Sequence, residues 1–117
     1  NNMSIRDNRI SIQLMEQAGA YIAREAGRST LITPTRVALS KDGKDATIFV
    51  SVYPTTDTDN ALAFLLRHKD LFRNSLRKST RIGRIPYIRF EFDQGEANRQ
   101  HIDDISREIT GGANPEA

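Results

Sequence analysis

Eight cations fall between Arg67 and Arg89, in the stretch RHKDLFRNSLRKSTRIGRIPYIR, and the only acid among them is Asp70. That stretch of 23 residues has a formal charge of +7, whereas the whole chain carries +2. Guanidinium and ammonium groups at this density neutralise phosphates. A row made of Arg67, Lys69, Arg73, Arg77, Lys78, Arg81 and Arg84 would follow a nucleic-acid backbone with little reading of sequence. A merely solvated helix ordinarily mixes both signs for pairing at i to i+4, and the near absence of acids departs from that pattern. Lys41 and Lys44, in the turn KDGKD, offer a second contact. Tyr87 is the best aromatic candidate for base stacking, but a tyrosine on a strand face ordinarily packs, so backbone and shape recognition of folded RNA is favoured over single-strand reading. Arg36 and Arg89 fall within strands and are expected to pair with acids across the sheet.

Other chemistries have thinner support. His101, Asp104 and Glu108, with Asp103 beside them, share a helical face and define the alternative of a small metal- or acid/base-dependent enzyme. Metal ligands normally converge from more than one element, however, and the only other histidine is His68. The chain has no cysteine, which excludes disulfides, thiolate ligands and a cysteine nucleophile. Gly83 stands alone and Gly111 with Gly112 lies in the tail, so no glycine-rich phosphate loop is formed. A third reading is a protein-protein adaptor using an acidic C-terminal helix. Residues 90–117 hold seven acids against Arg99 and Arg107, and this surplus conceals the basic block in the total charge.

These residues need elements to position them. At 117 residues, with 38% hydrophobic content, the chain is long enough for one core and has no apolar run that would span a bilayer. With no secretory signal at the N-terminus, a cytoplasmic location is expected. Ile10, Leu14, Ala18 and Ile22, widened by Met15 and Tyr21, predict a first helix ending near Gly27. Ile32, Val37 and Leu39 predict a strand with an edge or bulge at Pro34, and the Asp42-Gly43 turn leads into ATIFVSVY, where Ile48, Val50 and Val52 share a face. A second helix should begin near residue 58. Its apolar face, Ala61, Leu62, Leu65 and Leu66, conflicts with Lys69, Leu71 and Arg73 if it runs straight. A break at residues 68–70 is therefore expected, with Asp70 capping a further helix that displays Arg73, Arg77 and Arg81 one turn apart. In PYIRFEFD, Ile88, Phe90 and Phe92 are predicted inward and Tyr87, Arg89, Glu91 and Asp93 outward. Ile102, Ile105 and Ile109 predict a short closing helix.

Three segments in order carry a resemblance. RVALSKDGKDATIFVSV is very similar to the second-strand region of ribosome-binding factor A proteins. RIGRIPYIRFEFD resembles that family's basic approach to a proline and an aromatic strand, and HIDDISREI is similar to its closing helix. The resemblance spans roughly residues 5 to 109. It implies an α+β fold of the KH-like type II class, ordered α-β-β-α-kink-α-β with a short C-terminal helix and a three-stranded sheet packed on helices. The family's Ala-x-Gly kink aligns with His68, Lys69 and Asp70, where the glycine is missing. The resemblance further implies a factor that binds the immature small ribosomal subunit through its rRNA and assists late rRNA maturation. Residues 1–4 are expected to be disordered, 5–110 to form the RNA- and ribosome-binding domain, and 111–117 to be a disordered tail. The expected partners are small-subunit rRNA and the small subunit, bound by a monomer without membrane, metal, cofactor or small-molecule substrate. Reversing charge at Arg73, Arg77 and Arg81 is expected to abolish binding and spare the fold.

Overall fold

A computed structural model describes residues 5–27 and 29–95. In chain order these form helix α1 (Ile5–Glu25), strand β1 (Leu31–Leu39), strand β2 (Asp45–Tyr53), a 3-10 turn (Thr55–Asp57), helix α2 (Thr58–Ser79) and strand β3 (Tyr87–Phe92). The protein is thus of the expected α+β class, the described residues forming two helices and one three-stranded sheet in the order β1-β2-β3. The closing helix expected around Ile102, Ile105 and Ile109 lies outside the described residues. So do the His101, Asp104 and Glu108 face and both expected disordered ends.

The four-residue step that predicted α1 is the step that buries it: Ile10, Leu14, Ala18 and Ile22 are core residues, and Tyr21 widens the stripe. Strands β1 and β2 form an antiparallel hairpin closed at Asp42-Gly43, where Gly43 adopts a φ of 73°, a left-handed conformation that favours glycine. Ser40 fastens this turn, donating its hydroxyl to Asp42 Oδ1 and accepting from the Asp45 amide.

Pro34 does mark a bulge. The register steps from Pro34–Val50 to Arg36–Phe49, leaving Thr35 as the extra residue. An inserted residue reverses strand parity, so Ile32 on one side of the bulge and Val37 and Leu39 on the other all pair with the inward row Val52, Ile48 and Ala46. The inward residues of β2, Ala46, Ile48, Val50 and Val52, are at most 1% exposed. Strand β3 runs parallel to β2, which requires a crossover, and α2 supplies it. On β3, Ile88, Phe90 and Phe92 face inward as predicted. Asp93 was expected outside and is instead buried just beyond the strand, where its carboxylate accepts the Thr35 hydroxyl and lies 3.8 Å from Arg36 Nε. The bulge explains this, because Thr35 has no ladder partner and turns its hydroxyl to Asp93.

The break expected at His68, Lys69 and Asp70 is absent: α2 is one helix of 22 residues, and Asp70 caps nothing within it. Its core row is Ala61, Leu65, Phe72 and Leu76, and His68 occupies the inward slot between Leu65 and Phe72. The missing apolar residue is replaced by a satisfied polar one. The Tyr21 hydroxyl and His68 Nδ1 are hydrogen-bonded at 2.8 Å, and Phe64 lies against the imidazole at 4.3 Å between ring centroids. Burial pushes the Tyr21 phenol up, with Glu25 adding to the effect and Arg24 opposing it. Leu66 and Leu71, the leucines behind the expected bend, simply remain exposed.

Candidate nucleic-acid interface

An uninterrupted α2 sorts the basic residues by helical geometry into two lines. Lys69, Arg73 and Arg77 follow Leu62 and Leu66 along the flank nearest β3. Arg67 and Lys78 lie on the outer side with Asn74 and Leu71. The expected single ridge is therefore divided. Arg81 does not add a further turn to it, because the helix stops at Ser79 and Thr80 is extended.

Arg73 was expected to be an exposed ridge residue, but it is half-buried and committed to the fold. Its Nε donates to the Pro86 carbonyl at 2.9 Å and its Nη2 to the Ile85 carbonyl at 2.7 Å. The guanidinium also stacks 4.5 Å from the centre of the Tyr87 ring. Arg73 thus straps the segment after α2 back onto the helix, and Tyr87 serves as its platform. Thr80 shapes the near end, its hydroxyl donating to the Leu76 carbonyl and accepting from the Ile82 amide. Ile85 and Pro86 are buried and Ile82 half-buried, so the loop is pinned at both ends while Arg81, Gly83 and Arg84 project outward.

Two hollows flank this loop. The first, of about 480 Å³, is lined by Arg73, Arg77, Ile82, Gly83, Arg84 and Ile85. The second, of about 250 Å³, lies between the loop and α1 and is lined by Arg6, Arg9, Ile10, Gln13, Arg81, Ile82 and Gly83. Sequence reasoning missed Arg6 and Arg9. Their signal was a spacing of three on the first helix, but nothing in the chain order placed them beside a loop more than 70 residues away.

The remaining candidates are apart from this cluster. Lys69 lines a different hollow, of about 560 Å³, with Leu62, Leu66, Tyr87 and Arg89 among its walls. Lys41 and Lys44 are exposed at the hairpin turn, where Asp42 and Asp45 cancel their charge. The Ser40 hydroxyl and the Lys44 amide hold the Asp42 carboxyl below its ordinary range, so that negative charge persists. Arg36 pairs across the sheet with Asp93 as expected, whereas Arg89, also expected to pair across the sheet, lies 3.9 Å from Glu91 of its own strand. The only other ion pair among the described residues joins Arg24 and Glu25. Arg6, Arg9, Arg77, Arg81 and Arg84 therefore have no carboxylate partner there. No described residues group into a metal-binding cluster, and no described helix is long and apolar enough to cross a membrane.

What fold and surface define together is a small α+β domain with five arginines, unmatched by any described carboxylate, around one pinned loop. The family model for ribosome-binding factor A matches residues 6–106, and the chain belongs to that family. A crystal structure of ribosome-binding factor A from Thermus thermophilus superposes with a TM-score of 0.63 at 25% identity, covering 71% of this chain and 91% of that one. A solution structure of a Thermotoga maritima protein described as a putative ribosome binding factor A gives a TM-score of 0.57 at 31% identity, covering 75% and 83%.

Proposed function

We propose that this protein is a non-enzymatic ribosome assembly factor, a KH-like domain acting as a cytoplasmic monomer. It binds the immature small ribosomal subunit through its rRNA during late maturation. The supporting observation is the set of arginines on the α2 flank and the 81–84 loop, left without carboxylate partners among the described residues in a chain of this family. Unpaired guanidinium groups on a pinned loop are pre-organised for phosphate oxygens, which they meet as charge-assisted bidentate donors. The protein acts by population shift, favouring one rRNA conformation only to the extent that it binds that conformation better than its alternatives.

Sucrose-gradient co-sedimentation tests this reading. The protein should travel with free small subunits and not with intact ribosomes at low salt, and dissociate at high salt. The variant Arg77→Glu/Arg81→Glu/Arg84→Glu should not bind at all. Arg73 is left out because its loss would disturb the loop. Unchanged co-sedimentation of that variant would overturn the assignment and favour an adaptor acting through the acidic C-terminal segment.

A further inference from the structure

Among the described residues, six charged side chains line the two hollows beside the 81–84 loop, and all six are arginines: Arg73, Arg77 and Arg84 in one, Arg6, Arg9 and Arg81 in the other. Ile82 and Gly83 are common to both. Ile82 is half-buried and Gly83 has no side chain, so only a low crest of backbone separates the hollows. The fold itself does not demand that bareness. Gly83 has no positive φ, and a Cβ built there meets nothing within 4 Å. Of the described acids, Asp7 and Asp42 accompany Arg6 and Arg84 in a third hollow toward the hairpin. Asp42 is already engaged by Ser40 and the Lys44 amide.

Like charges gathered from three separate elements repel one another, and no described carboxylate relieves them inside the two hollows. A polyanion that supplies negative groups to both hollows does relieve them. We propose, resting on the rRNA-binding reading above, that the phosphodiester backbone crosses the protein at Ile82–Gly83 with phosphates along both hollows, about one to each arginine that lacks a carboxylate partner. Arg6 and Arg9 of α1 then form half of the binding site. The interface is a saddle across α1, the loop and the end of α2, and it leaves Arg67 and Lys78 outside. Both of those lie on the outer side of α2 and contribute only to the general field.

Two double reversals that remove equal charge separate geometry from net charge. The probe is purified small ribosomal subunits, titrated at several salt concentrations. Arg6→Glu/Arg9→Glu should weaken binding at least tenfold and make the slope of log affinity against log salt shallower by about 1.4 to 1.8, the loss of two phosphate contacts. Arg67→Glu/Lys78→Glu should change both quantities much less. Arg6 and Arg9 are exposed, so thermal melts of either pair should match the parent, and Arg6→Gln/Arg9→Gln provides a milder version of the same loss. Equal losses from the two pairs, or no loss from the α1 pair while the parent protein binds, would overturn the saddle and leave the rRNA reading standing. A parent protein that does not bind small subunits would overturn both.

Discussion

Arg73 and Arg77 lie one turn apart on the same flank of α2, yet the structure gives them different duties. Arg73 spends two donors on the Ile85 and Pro86 carbonyls and its guanidinium face on Tyr87, whereas Arg77 makes no hydrogen bond or ion pair among the described residues. Hydrogen bonds from a charged donor contribute about 1.5–3 kcal/mol, and those two carbonyls sit in a half-buried corner. Arg73→Ala should therefore lower unfolding stability by about 2 kcal/mol in a urea titration, and Arg73→Lys should recover little, since a single ammonium cannot reproduce the fork. Arg77→Ala should shift stability by less than about 0.5 kcal/mol. Equal effects would contradict the division. The sequence told which residues were charged. It could not tell whose donors were already used, because the Arg73 acceptors are main-chain carbonyls that no side-chain pattern reveals.

The helices, the hairpin and the three strands could be read at the scale of elements, because apolar periodicity and turn chemistry report directly on burial. The Pro34 bulge was legible too, as a proline inside a strand pattern. What failed was the inference from Lys69 and Arg73 on the apolar face, and Leu71 off it, to a break in the helix. That reasoning centred the face toward Leu62 and Leu66, whereas the buried row is Ala61, Leu65, Phe72 and Leu76, with position 68 as its remaining inward slot. His68 fills it by hydrogen-bonding Tyr21 of the other helix, a long-range pairing that local spacing does not encode. The same limit hid Asp93, whose burial depends on the Thr35 hydroxyl from the far strand. If α2 is continuous, Asp70 is an ordinary exposed residue. Asp70→Ala should then change stability by less than about 0.5 kcal/mol, against the roughly 1 kcal/mol lost on removing a true N-cap. A loss of that larger size in chemical denaturation would reinstate the cap.

Across the molecule, charge is unevenly spread: six arginines gather around one loop, and most acids of the C-terminal third lie beyond the described residues. The basic block was evident from composition along the chain, but its shape was not. Linear reading drew a ridge along one helix, whereas folding splits that ridge and adds Arg6 and Arg9 from the first helix to the loop. Five arginines, Arg6, Arg9, Arg77, Arg81 and Arg84, then face the same region. For about five phosphates neutralised, log affinity should fall against log salt with a slope of roughly −3.5 to −4.5. The most direct measurement is the affinity for free small subunits as salt rises from about 50 to about 200 mM. The account predicts a weakening of roughly 100- to 500-fold. An affinity that stays level across that range would contradict it.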